Sequence, residues 1–420
     1  MTLVQSHARA STGLASGVQA VSQATSAFAC TQAAYRFFHN PRITLPDLAT
    51  PLLAHARTRV PQVCDNYLLV AHDWSQLMYP KHTGKKLRLS LSSKHAPEGY
   101  EALTALAISD RDGLPLAPLA VDLRAADGVH SSRSGRLVAP QSPLDELDPL
   151  MTYLDNQRLG RPLVHIIDAE ADSVAHYREW SAREGRLYLV RGDDRLVEYQ
   201  GNEQKCTKIQ AELHASGQFH KTREVLYQGQ SAEQYVAEVP VRLLRPGQRN
   251  RPGQQNRQRI PGAPLALRLV LVEVRAANGT VLATWFLLTN VPSGVTAATI
   301  ALWYYWRWNI EEFFKLLKSA GMQAEQWQQE SPAALARRLL VASMACVVVW
   351  DLARSEHPQA PAARKLLIQL SGRQMKSGVT FTIPAMLAGL WVLLAMLETL
   401  EHHSLDELQA LRQLILEKPP

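Results

Sequence analysis

Two short stretches set the frame for this chain: YLLVAHD (67–73) and PLVHIID (162–168). Each is apolar nearly throughout, carries β-forming residues and stops on an aspartate. Each therefore reads as a buried strand with a carboxylate at its end. A carboxylate in that position is costly unless it is paired or binds a cation. Asp73 or Asp168 alone is satisfied by a turn or helix-cap role. Two such strands joined by a helical glutamate would present three carboxylates, the oxygen donor set that hard divalent cations prefer. In the second stretch Glu170 and Asp172 follow closely.

The surrounding pattern is mixed α and β. KKLRLSLSS (85–93) alternates basic or polar residues with Leu and reads as a half-exposed strand with a basic face. EALTALAISDRDGLPLAPLAVDLR reads as two strands joined by a turn at Asp112-Gly113. After the second acidic stretch, SVAHYREWSAREG reads as a helix stopped by Gly185, and RLYLVRG as the next strand. Residues 196–290 form a β-rich block that includes REVLYQG, YVAEVPVRLL, LALRLVLVEVR and ATWFLLTN. Inside it RPGQRNRPGQQNRQRIPG (245–262) has the composition of a mobile loop. From about Thr296 the chain reads as helical. TQAAYRFFHNPRI is a helix with Thr31 as N-cap, ended by Asn40-Pro41, and SLDELQALRQL starts a helix at Ser404.

Composition narrows the class. Nine Trp, twelve Tyr and eight Phe in 420 residues demand a core and exclude wholesale disorder. Four Cys with no CxxC exclude a disulfide scaffold and a thiolate zinc site. Cys30, Cys64, Cys206 and Cys346 read as small buried or half-buried thiols in a reducing compartment. The N-terminal stretch lacks the apolar core of an export signal. The apolar runs Leu339–Trp350 and Ala385–Leu397 fall short of the ~20 residues of a spanning helix and read as buried helices. There is no Walker A loop and no GxGxxG.

The net charge of +7 is unevenly placed. Residues 1–64 hold five Arg and one acid, and residues 241–270 hold seven Arg and no acid. Those balances, +4 and +7, leave −4 for the rest of the chain. Solvated loops explain such runs; so does a surface that meets a polyanion.

The densest local signal is YYWRWNIEEFFKLLK (304–318). On a helix with Tyr304 at zero, Arg307, Glu311, Lys315 and Lys318 fall within about 60° of it, while Trp306, Ile310, Phe313, Phe314 and Leu317 fall at about 180–280°. One flank packs inward and the opposite stripe carries Tyr, Arg, Glu and Lys. An amphipathic helix with an i, i+4 pair such as Glu311–Lys315 explains this stripe by itself.

The spacing Tyr304-x2-Arg307-x3-Glu311-x6-Lys318 resembles the YREK signature of the insertion-sequence-four type DDE transposases. Further stretches resemble that family in the same order: AAYRFFHNP its N-terminal DNA-binding region, VAHDWSQLMY its first-Asp strand, and IIDAEADSVAHY its second-Asp segment. RLYLVRG and WFLLTNVP are similar to the runs that follow. The likeness covers about residues 20–350. The segment before Tyr35 is shorter than the family's.

The resemblance implies an α/β, ribonuclease-H-like catalytic core over 66–335 with a β-rich insertion at 196–290. It implies a helical DNA-binding region at 1–65 and a helical, dimerising region at 336–420. Asp73, Asp168 and Glu311 become the catalytic, metal-binding acids, with Mg²⁺ as cofactor and Mn²⁺ as substitute. Glu312 rivals Glu311, but at about 80° it leaves the stripe that Glu311 joins at about 340°. Tyr304, Arg307 and Lys318 become phosphate contacts, Trp285 a stacking platform for an extruded base, and Arg191 a DNA neighbour. Trp285 is equally read as a core residue. Lys85, Lys86 and Arg88 are further phosphate candidates on patch reasoning alone.

The implied activity is cut-and-paste transposition: strand nicking, hairpin formation and resolution, and strand transfer. Its partners would be the double-stranded DNA of terminal inverted repeats and target, with a homodimer in a paired-end complex and no membrane. The setting would be the bacterial cytoplasm, at the nucleoid. Two rival readings remain. One is an N-terminally shortened, non-catalytic regulator that inhibits a full-length transposase by hetero-oligomerisation. The other is a related endonuclease without strand transfer.

Overall fold

The two apolar runs lie side by side. In the computed structural model, which describes residues 24–91, 98–139, 142–249, 258–319 and 321–416, the chain opens with α1 (Ala24–His39) and α2 (Leu45–Val63). Five strands follow: β1 (Leu68–Met78), β2 (Leu89–Ser90), β3 (Glu98–Ser109), β4 (Pro115–Ala125) and β5 (Gly128–Ser131). Next come α3 (Pro143–Asp155), β6 (Leu163–Ile167), α4 (Val174–Ser181) and β7 (Leu187–Gly192). Strands β3, β1, β6 and β7 are consecutive neighbours; β1–β6 and β6–β7 are parallel and β1–β3 antiparallel. This mixed sheet, with helices on both faces, is compatible with a ribonuclease-H-like core.

Side-chain alternation explains why runs with no polar face are tolerated. Leu69 and Ala71 of β1 and Val164 and Ile166 of β6 face one core. Leu68, Val70 and Ile167 face the other. The first core is closed by α6 (Ala297–Trp306), α7 (Asn309–Lys318) and α8 (Pro332–Arg354), and the second by α3 and α4. A strand sandwiched this way has no solvent side to mark with polar residues.

The β-rich block extends the same sheet. It contains β8 (Leu196–Tyr199), β9 (Asn202–Lys205), β10 (His220–Tyr227), β11 (Gln230–Leu243), β14 (Leu265–Arg275) and β15 (Val281–Thr289). The path runs β7–β15–β14–β11–β8–β9, with β10 on β11. A separate ribbon pairs β12 (Gly247–Arg249) with β13 (Gln258–Ile260). Residues 250–257 of the Arg/Gln-rich loop and residues 1–23 lie outside the described residues.

Several local expectations are corrected. β1 does not stop at Asp73 but continues to Met78, because Trp74–Met78 keep β3 as a ladder partner. Of 85–93 only Leu89–Ser90 pairs in the sheet, and residues 92 and 93 lie outside the described residues. The β-rich block holds a helix, α5 (Cys206–Ala215), whose Ile209 and Leu213 bury in the second core. Helix α1 starts at Ala24, so Thr31 is interior. The helix expected over 304–318 is two, α6 and α7, divided at Arg307 and Trp308.

The apolar runs are parts of longer helices. α8 and α10 (Ile383–His402) are both long and apolar enough to cross a membrane by length and composition alone. α8 is packed inside the core, whereas most of α10 is not. α10 pairs with α9 (Ala360–Ser371), and the capping box at Ser404 and Glu407 starts α11 (Leu405–Leu416). Cys64, Cys206 and Cys346 are buried free thiols, and burial pushes Cys64 and Cys206 up to about 11.

Candidate active site

Strand register brings the two aspartates together. The β1–β6 ladder runs from Leu68↔Leu163 to His72↔Ile167, so the next step on each strand is Asp73 and Asp168. Continuing the alternation of Leu69 and Ala71, and of Val164 and Ile166, sends both side chains to the face covered by α6 and α7. Neighbouring strands are about 4.8 Å apart. The Asp168 carboxylate also caps the short turn after β6 by accepting from the Ala169 N–H at 2.7 Å, and Asp73 accepts from the Trp74 N–H at 2.8 Å.

The third acid, Glu311, sits in the first turn of α7, just after the break between α6 and α7. Through this break the backbone bonds tighten to three-residue reach: Trp308 N–H to Tyr305, Ile310 to Arg307 and Glu311 to Trp308. The dihedrals stay helical at Arg307 and Trp308, so the stripe of Tyr304, Arg307 and Glu311 survives the interruption. Arg307, only 4% exposed, donates to all three acids: Asp73 Oδ2 at 3.1 Å, Asp168 Oδ2 at 2.7 Å and Glu311 Oε1 at 3.2 Å. Arg191 pairs with Asp168 Oδ1 at 2.6 Å, and the Tyr304 hydroxyl donates to the same oxygen at 3.1 Å. Glu311 pairs with Arg307 rather than Lys315; Lys315 meets Glu312 at 3.6 Å.

The electrostatics follow from burial against charge. Burial pushes the Asp73 carboxyl up to about 6, against the pull of the Arg307 guanidinium and the Trp74 N–H. Burial also works against the charge of Arg307, but Asp168, Asp73 and Glu311 outweigh it and hold the guanidinium more firmly protonated than usual. Burial, with Asp168 beside it, raises the Tyr304 phenol, which stays a donor. Behind β1 and β6, His72 Nε2 and His165 Nδ1 are 2.8 Å apart and His165 reaches Asp155 at 3.1 Å; burial lowers both imidazoles, which stay neutral.

A cavity of about 590 Å³ opens beside the cluster. Asp168, Arg191, Arg307 and Glu311 line one part, and Trp285, Tyr304, Tyr305 and Trp308 supply aromatic walls. Trp285 is half-buried, its ring 5.3 Å from that of Tyr304. The tip of the β10–β11 hairpin, Leu226–Gln228, also reaches this cavity. The place of this hairpin tip beside the acids is set by the fold and not by the local sequence. A larger cavity of about 730 Å³ includes Asp145, Asp172, His176, Arg195 and Arg245. Several of its charges are paired: Arg195 with Asp172 at 2.7 Å, Arg245 with Glu203 at 3.1 Å, and His176 with Asp145 at 3.3 Å, while Glu170 also lines it.

The basic candidates divide. Lys318 is not drawn into the acid cluster: its Nζ donates to the Gln76 carbonyl at 2.7 Å and lies 3.5 Å from Glu325. Lys85 is buried, donating to the carbonyls of Trp327 and Gln329, and burial lowers its ammonium to about 7. Lys86 pairs with Glu330 and Arg88 with Glu98. Within 241–270, Arg242, Arg245 and Arg268 pair with Glu198, Glu203 and Glu238. Acids distant in sequence thus neutralise part of the basic segment.

Among the described residues, no group of three His, Cys, Asp or Glu side chains is arranged to enclose a metal ion. The three acids converge on Arg307 instead. Carboxylates are the donor chemistry that hard divalent cations prefer.

No protein-family model matches the chain, and no curated protein matches it. Among solved structures, piggyBac transposase in a synaptic complex with hairpin DNA is similar over 91% of this chain and 64% of that one, with TM-score 0.35 and 12% identity. The chain thus spans less than two thirds of that structure, and the likeness is too slight to assign function.

Proposed function

We propose that the chain is a metal-dependent DNA transposase of the DDE type, acting at the ends of an insertion element. The observation that carries this reading is the meeting of Asp73, Asp168 and Glu311 on one buried arginine beside an aromatic-lined cavity.

In this reading Asp73, Asp168 and Glu311 hold Mg²⁺, or Mn²⁺ in its place. When bound, the metal would direct a water or a 3′-hydroxyl at phosphorus and stabilise the leaving oxygen. Arg307, permanently charged and forked, is suited to a non-bridging phosphate oxygen once the acids take another cation. Arg191 can follow it, and the Tyr304 hydroxyl supplies a further donor. Trp285 offers a face to an extruded base, a contact worth about 1–3 kcal/mol. Nicking, hairpin formation, hairpin opening and strand transfer are all phosphoryl transfers, so one site serves each. Two copies would bring two element ends together through the C-terminal helices, where Met396, Leu397 and Leu400 are exposed.

The test is cleavage of labelled element-end DNA by purified protein. Asp73→Asn, Asp168→Asn and Glu311→Gln are expected to abolish cleavage while a gel shift persists. Normal cleavage by all three variants would overturn the reading. A plasmid integration assay separates a transposase from a nuclease that cannot join strands.

A further inference from the structure

We infer that Asn309 is a positioning residue that fixes Arg307 and Glu311 against the strand carrying Asp73. The break between α6 and α7 leaves the Trp306 carbonyl without its helical partner, because the Ile310 N–H bonds to Arg307 instead. The Asn309 Nδ2 donates to this orphan carbonyl at 2.9 Å and also to the Gly113 carbonyl at 2.9 Å. One amide therefore joins the helix break to the β3–β4 turn, 196 residues away in sequence.

That turn is held to the sheet independently. The Asp110 carboxylate accepts the N–H groups of Asp65, Asn66 and Tyr67 at 2.7–2.9 Å, just before β1 begins. The Ser109 hydroxyl donates to the Val63 carbonyl at 2.7 Å. Arg354 of α8 donates to the Leu114 carbonyl at 3.0 Å and lies 3.7 Å from Asp112. Gly113 adopts φ +71°, and a Cβ there would sit 2.4 Å from the Trp306 indole. The turn is thus a rigid stop against which the break is seated. Asn309 sets the axial position of the two residues that flank it toward the acids, Arg307 and Glu311. It does this from the wall of the 590 Å³ cavity, without bonding to any of the three acids.

The inference rests on the transposase reading for its rate measurement only. Asn309→Asp replaces the donor with a carboxylate facing two carbonyls; Asn309→Ala removes it without adding charge. The expected result is a cleavage rate about 10- to 100-fold lower, as a misplacement of order 1 Å brings, with end-DNA affinity unchanged. Gly113→Ala pushes on the same contact, so its loss combined with Asn309→Ala should fall short of additive. Hydrogen exchange should quicken in segments 304–312 and 109–115 together and stay unchanged elsewhere. Wild-type cleavage by Asn309→Ala would overturn the inference, as would rate and affinity falling together with exchange rising throughout the chain. If the unaltered protein cleaves nothing, the transposase reading fails, and paired exchange at the two segments still decides the clamp.

Discussion

Replacing Arg307 with Leu tests the electrostatic account of the site most directly. The change removes the one cation shared by three carboxylates and leaves their backbone frame in place. The acids do not suffer equally. Glu311 is 39% exposed and loses little, since exposed pairs are worth about 0–1 kcal/mol. Asp168 keeps Arg191 at 2.6 Å, the Tyr304 hydroxyl and the Ala169 N–H. Asp73 is 16% exposed and is left with the Trp74 N–H. Breaking a buried pair on one side costs about 3–5 kcal/mol, and most of that falls on Asp73.

The pH dependence gives the sharper test. Burial holds the Asp73 carboxyl at about 6, above the 3.8 of an ordinary aspartate. A carboxyl raised on folding binds more protons in the native state, so its contribution is present below pH 3.8 and is lost as pH rises to about 6. Without Arg307 the native value climbs further, and the loss extends above pH 6. The deficit of Arg307→Leu relative to wild type should therefore be larger at pH 8 than at pH 5, measured by urea unfolding at both. An equal deficit at the two pH values, or one below about 1 kcal/mol at pH 8, would refute this account.

Three further outcomes follow from the same structure. Mg²⁺ or Mn²⁺ should raise the thermal midpoint of the protein, and raise that of Arg307→Leu more, since the acids there lack their cation; a flat response in both says the acids hold no ion. Gly389→Ala should destabilise by about 1–3 kcal/mol, because its Cβ would overlap the Leu367 carbonyl at 1.8 Å, and faster exchange should appear in α9 and α10. Arg186→Leu should cost about 3–5 kcal/mol in urea unfolding, since a side chain 1% exposed binds Asp148 and Asp155 from inside the fold.

Much of the site was legible one element at a time. The apolar runs at 67–73 and 162–168 announced two buried strand segments each carrying an aspartate, although β1 runs on past Asp73, and the 304–318 stripe aligned Tyr304, Arg307 and Glu311. Local pattern suffices there because burial and helical periodicity act over a few residues. The break at Arg307–Trp308 was not legible, because the polar side chain that satisfies it, Asn309, finds half its partners at Gly113. The extension of β1 past Asp73 depends on β3, and the exposure of most of α10 on what packs against it. The neutralised arginines at 242, 245 and 268 depend on acids brought near by strand pairing.

By itself the sequence determined the chemical inventory: two buried apolar runs each followed by an aspartate, a stripe of Tyr, Arg and Glu, and positive charge concentrated in two segments. Only the tertiary structure decided what that inventory does together. The β1–β6 register sets Asp73 beside Asp168, and packing of α6 and α7 on that face delivers Arg307 to both. The reason is physical. A one-residue slip of the ladder would turn one carboxylate to the opposite core, and nothing within either strand fixes that slip.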